Sequence, residues 1–204
     1  MRARTSLMLM AGAIALAGCD NTPFGDAVEV DGTFLGSWTL SWEGIDSDGN
    51  AIGDEALCPG SITLGDQSKD TFGGIFLVID DSDCDGSPVS GSIVDGFARA
   101  DGGVNFTMTV PPSVQSDTIT SPKSQDDIWE DIFAGTGIVD QNIFSGCVIS
   151  DADNQMNGAI AGPQLAASAS ASLSCEETII FLPDGSIVTI DDALRLLMRF
   201  TGDR

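Results

Sequence analysis

The chain contains no histidine and no tyrosine. Without histidine it has neither the commonest general base nor the commonest metal ligand, and no Ser-His-Asp or Cys-His arrangement can be built. A hydrolase based on two carboxylates needs no histidine. Asp and Glu number 31 against 8 Lys and Arg, however, so carboxylate pairs occur everywhere and single out none. No nucleophile stands at a recognisable spacing from a base, and the chain reads as non-catalytic. Chemistry is left to the cysteines. Cys58, Cys84, Cys147 and Cys175 lack the CxxC spacing of a zinc site. Of the three pairings open to four cysteines, Cys58–Cys84 with Cys147–Cys175 closes two local loops of similar size and is the one expected.

One acidic segment could hold a metal. Asp81, Asp83 and Asp85 precede Gly86, alternating with Ser82 and Cys84. The pattern resembles the opening of an EF-hand calcium loop, in which alternate carboxylates converge on one ion and glycine permits the sharp turn. The resemblance implies Ca²⁺ as the cation. Pro88 and Ser92 stand at its eighth and twelfth positions, where the latter should be a bidentate Glu. A solvated acidic turn is the plainer reading, and no other cofactor is implied. A Cys58–Cys84 bridge would bring Asp54 and Glu55 towards the same cluster. Asp46-Ser47-Asp48-Gly49-Asn50 reads as a turn.

The first residues carry an address. Arg2 and Arg4 precede an apolar run from Leu7 to Ala17. The run is too short for a hydrocarbon core of roughly 30 Å, which takes about 20 residues. It ends in Leu16-Ala17-Gly18-Cys19, which resembles the lipobox of bacterial lipoproteins. That resemblance implies cleavage before Cys19, acylation of its sulfur, and a bilayer partner held through the acyl chains. Residues 1–18 are then a signal peptide, 19–31 an acidic linker and 32–204 one domain. Ala15-Leu16-Ala17 would also serve an ordinary secretory cleavage. By the same resemblance Asp20 favours retention in the inner membrane. The expected location is the bacterial cell envelope, facing the periplasm or the exterior.

The net charge of −23 makes nucleic acid an electrostatically poor partner. Lys69 and Lys123 are the only lysines. So acidic a surface fits a salty medium, where the Debye length is only about 3 Å at 1 M. A specific cationic ligand is the competing explanation.

The elements that must position these residues are written mostly in period two. Phe34, Gly36, Trp38, Leu40 and Trp42 alternate with Leu35, Ser37, Thr39 and Ser41, a half-buried strand. Ile62–Leu64, Val89–Arg99, Val104–Val110, Ile138–Ile149, Met156–Ala161 and Leu165–Cys175 read as further strands. Thr71–Asp80 is apolar on both faces, which fits a central strand or one covered by another element. Thr178–Leu182 and Ser186–Ile190 flank Pro183-Asp184-Gly185, a hairpin signal. Ser124 to Asp127 reads as a capping box before a helix with Ile128, Trp129, Ile132 and Phe133 on one face. Thr189 and Asp192 suggest the cap of a closing helix through Phe200, with Arg195 and Arg199 on its wet face. The sum is an all-β fold, an antiparallel up-and-down barrel of about 8–10 strands with one or two short helices. A β-sandwich is the alternative.

Gly36-Ser37-Trp38 at the start of the first strand resembles the G-x-W signature of lipocalins and related calycin barrels. The resemblance implies a Trp closing one end of a barrel that carries a small apolar ligand, with Trp38 and Trp42 as candidate contacts. A core Trp is the plainer reading. Ala167, Ala169 and Ala171 would line that interior with methyl groups. The expected function is a membrane-anchored envelope module that binds or interacts without catalysis, with a small apolar ligand or an envelope protein as partner. The alternatives are a lipocalin-like carrier and a structural envelope protein with an acidic, calcium-binding surface.

Overall fold

A computed structural model describes residues 27–79, 84, 87–111, 125–139, 142–153, 155–181, 186–190 and 192–204. Among these are eleven strands and two helices. They are β1 (Gly32–Ile45), β2 (Ala51–Ser68), β3 (Thr71–Val78), β4 (Val89–Ala98), β5 (Gly103–Thr109), α1 (Gln125–Phe133), α2 (Asn142–Gly146), β6 (Cys147–Ala152), β7 (Met156–Ala161), β8 (Gln164–Cys175), β9 (Thr178–Phe181), β10 (Ile187–Ile190) and β11 (Ala193–Asp203). Every pairing is antiparallel. The order β1-β2-β3-β4-β5-β7-β8 closes through β11, which pairs with both β8 and β1. The fold is therefore a closed barrel of eight strands, as the alternation and short turns predict, and the sandwich is set aside. Closure through β11 leaves β6, which pairs with β8 alone, as the exposed edge among the described strands of this sheet.

Two sequence expectations fail, each for a local reason. The segment after Asp192 is not a helix but β11. Its Leu, Met and Arg residues favour helix intrinsically. Leu194, Leu196, Met198 and Phe200 nevertheless alternate inwards, and β8 and β1 present edges that only a strand can satisfy. Propensity yields to the barrel's closure. Ile138–Ile149 is not one strand either: α2 turns the chain first, and pairing begins at Cys147, opposite Cys175. β3 is the central strand that its two apolar faces allow, paired with β2 and β4, and its outer face is open at Ile75, 59% exposed.

β2 begins earlier than its alternation suggests and runs through Pro59. The Pro59 carbonyl accepts from the Ile79 N–H at 2.8 Å, at the last rung towards β3. Its missing donor thus falls where the ladder ends. The register shift in β4 between Val94 and Phe97 is a bulge, with Asp95 at φ 51°. It returns Gly96 and Ala98 to the inward face after Ile93.

The interior is filled by Phe34, Trp38, Phe76, Phe106 and Phe200, all at most 1% exposed. At about 1.5–3 kcal/mol for each large apolar side chain buried, this set outweighs the exposed pairs Arg99–Asp101 and Arg195–Glu43, whose attraction water largely screens. One end of the barrel is closed by residues 27–31. Val30 is buried there, its N–H bonded to Gln67 Oε1 at 2.9 Å, and the Val28 N–H reaches the Arg99 carbonyl at 3.3 Å. Arg204 adds its guanidinium 5.5 Å from the Phe34 ring centroid. The other end carries α1, α2 and the β9–β10 hairpin. The hairpin is tied to the end of β1 by the Asp46–Ile190 bridge and the Ser47 N–H on the Thr189 carbonyl.

Candidate functional site

Trp38 faces inwards on β1, opposite Cys58 on β2 and Phe200 on β11. Its indole N–H donates to the Leu77 carbonyl at 3.0 Å. Its ring lies 5.0 Å from that of Phe200 and 6.1 Å, edge-on, from that of Phe76. Gly60 makes room for it, since a Cβ there would meet both the Trp38 ring and the Leu77 carbonyl. The ring and the polar atom of Trp38 are thus both engaged from within the barrel. Trp42, four residues along the same inward row, is also buried, and its Nε1 has no acceptor among the described residues.

The barrel wall is interrupted once. β6 and β7 lie end to end along β8, joined through Asp153 and Gln155, while β5, paired with β4 on one edge, meets β7 and not β6 on the other. Beside β6 the wall therefore has a seam, and α1 covers it. Ile128, Trp129, Ile132 and Phe133 are buried beneath the helix on the face that the sequence predicts, with Trp129 stacked on Phe133 at 5.9 Å. Asp153 clips the junction to β8: its Oδ2 accepts from the Ser170 N–H at 2.8 Å and the Ser170 hydroxyl at 2.9 Å. Under α1 a cavity of about 20 Å³ lies between these elements, close to the space of one water or one ion. Ala169 borders it, so part of the alanine row expected to face inwards does open space.

Both expected disulfides are present. Cys58–Cys84 has a Cα–Cα distance of 5.7 Å and Cys147–Cys175 one of 4.1 Å. Cys19 and the calcium candidates Asp81, Asp83 and Asp85 lie outside the described residues, as does the hairpin turn Pro183-Asp184-Gly185. Among the described residues no three Cys, Asp or Glu side chains group so as to hold a metal ion. Among the described residues the buried polar side chains are Thr136 and Thr178, and no described carboxylate is buried.

Two acidic groups are held below the usual carboxylate range. For Asp46 the largest cause is the Asn50 side chain, followed by the Asn50 backbone N–H. For Asp101 it is the Gly103 N–H, with Arg99 next. Both are fully exposed turn residues, and their hydrogen bonds write the turns. The outer surface has its own apolar feature. On β9–β10, Phe181 and Ile187 are paired across the strands on the face opposite the buried Ile180, and with Ile179 they are 53–62% exposed.

Reasoning on sequence reaches Trp38, Trp42 and the cysteines. It misses the seam cavity, the Arg204 cover over Phe34 and the apolar hairpin face, because each depends on which strands become neighbours. No family model matches the chain, and no curated protein and no solved structure shows significant similarity to it.

Proposed function

We propose that this protein is an envelope lipoprotein: a barrel tethered to a bilayer through acylated Cys19, facing the periplasm or the exterior, and acting as a non-catalytic binding or interaction module. The observation that carries the reading is Leu16-Ala17-Gly18-Cys19 at the end of a short apolar run. No helix among the described residues is long and apolar enough to cross a membrane. Val28 and Val30 lie at one end of the barrel, and the exposed Ile179, Phe181 and Ile187 belong to the other. A tether at Cys19 would hold the first end towards the bilayer and turn the apolar hairpin outwards, away from the headgroups. Asp20 favours the inner membrane as the place of retention.

A lipocalin-like carrier is the second reading, favoured by Gly36-Ser37-Trp38 and by the closed barrel. The aromatic filling around Trp38 weighs against an organic ligand there, because carrier pockets take about 300 Å³ or more. The anchor is tested by expressing the wild type and Cys19→Ala in a bacterium with lipoprotein processing. The wild type should show an acyl-modified Cys19 by intact mass and partition into detergent, and the variant should lose both. An unacylated wild type beginning at Gly18 or Asp20 would overturn the anchor and leave a secreted barrel.

A further inference from the structure

The chain has six methionines, and three of them, Met1, Met8 and Met10, precede the barrel. The other three, Met108 on β5, Met156 on β7 and Met198 on β11, all line the cavity at the seam. They come from distant parts of the sequence, and each is at most 4% exposed. Elsewhere the core is filled by Leu, Ile, Val, Phe, Trp and Ala. Methionine is a flexible filler of irregular gaps, yet here every methionine of the barrel borders the same gap. Two neighbours keep that gap open. Ala169, opposite Met198 in the β8–β11 pair, contributes only a methyl group. α1 covers the seam and places Trp129 at the cavity.

Size and chemistry narrow the occupant. A space of about 20 Å³ excludes an organic molecule and admits one water or one ion. A buried water wants two to four polar partners. Asp153, Gln155 and Trp129 carry polar side-chain atoms in the lining and meet that need, whereas the three methionines offer a water only weak acceptors. Hard cations such as Ca²⁺ and Mg²⁺ need six or more oxygen ligands. Thioethers are soft, neutral ligands that select Cu(I) and its chemical relatives. The four cysteines of the barrel are consumed in disulfides and histidine is absent, so thioether sulfur is its remaining soft donor. The Asp153 carboxylate at the margin supplies one negative charge to balance a monovalent ion.

We propose that the cavity under α1 is a binding site for a soft monovalent cation, Cu(I) or Ag(I), held by the thioethers of Met108, Met156 and Met198. The site belongs to the barrel alone, so its fate is independent of acylation at Cys19. The test uses the full chain with Cys19→Ser, which removes the one thiol outside the disulfides, in chloride-free buffer with Ag(I) as a redox-stable probe. Methionine methyl groups labelled with ¹³C report the ligands directly. One equivalent of Ag(I) should shift the signals of Met108, Met156 and Met198 and leave Met1, Met8 and Met10 in place, with Na⁺ and K⁺ without effect. Met108→Leu, Met156→Leu and Met198→Leu conserve volume and keep the barrel packed. Each should weaken Ag(I) binding by about tenfold or more, since even the loss of a group that only supports a ligand costs a metal site that much. Unmoved signals from the three barrel methionines at one equivalent, or shifts confined to Met1, Met8 and Met10, would overturn the proposal. So would a folded Met156→Leu variant that binds Ag(I) as the wild type does. The methyl spectrum of the Cys19→Ser chain decides the question even where a leucine variant fails to fold.

Discussion

Asp46 organises the turn between β1 and β2 with a single carboxylate. Its Oδ1 accepts the backbone N–H groups of Asp48 at 2.9 Å and Asn50 at 2.7 Å, while the Asn50 side-chain amide donates to Oδ2 at 2.9 Å. Bonds to the charged form lower the pKa of the group. A carboxylate with a depressed folded-state pKa contributes stability above its unfolded pKa and loses it as pH falls through the folded one. Asn50→Ala should therefore move the NMR-detected titration of Asp46 upwards, towards that of an ordinary aspartate. The variant's stability deficit should be present at neutral pH and shrink under acid, where Asp46 is protonated in both proteins. An Asp46 titration that does not move would remove Asn50 from the account. This turn is legible in the sequence, because Asp-Ser-Asp-Gly-Asn carries its hydrogen bonds locally. The row Phe34, Trp38, Leu40 and Trp42 is legible too, from period alone. The Arg204 cover on Phe34 is not, since its partners are set by closure of the barrel across the whole chain.

The elements differ in what holds them. β8 is paired along its full length with β11, whereas β6 pairs only with the second half of β8. Cys147 and Cys175 face each other at the start of that short ladder, and Asp153 bonds Ser170 just past its far end. β6 is thus fixed at both ends and lightly held between them. Replacing both Cys147 and Cys175 by Ser should cost roughly 3–4 kcal/mol through the wider freedom of the unfolded chain. Urea denaturation measures the loss. Hydrogen exchange should place the faster opening at Val148–Ser150, while β8 against β11 stays protected. Uniform acceleration along β8 and β11 would contradict this division of the wall. The pairing of these cysteines could be read from loop lengths, and strands β4, β5, β7 and β8 from alternation. β11 could not, because its leucines and arginines suit a helix until two strand edges are present to claim it.

At the scale of the molecule the governing quantity is charge. Asp and Glu outnumber Lys and Arg by 31 to 8, no described carboxylate is buried, and the exposed ion pairs Arg99–Asp101 and Arg195–Glu43 neutralise little of the excess. The folded barrel concentrates this charge on a compact surface, whereas the unfolded chain spreads it, so repulsion opposes folding most at low ionic strength. Screening shortens from about 10 Å at 0.1 M salt to about 3 Å at 1 M, below the spacing of most surface carboxylates. The melting temperature should accordingly rise with NaCl over that range. A gain of about 1–2 kcal/mol corresponds to roughly 2–8 °C for a chain of this size. Sucrose at matched osmolality separates screening from solvent exclusion, which also stabilises folded proteins. Ca²⁺ and Mg²⁺ at matched ionic strength should shift the melting temperature alike, with Asp83→Asn leaving the two curves together. A selective Ca²⁺ response lost in Asp83→Asn would instead place an ion at the Asp81–Asp85 loop. A melting temperature flat in NaCl would show that the acidic surface does not limit stability at all.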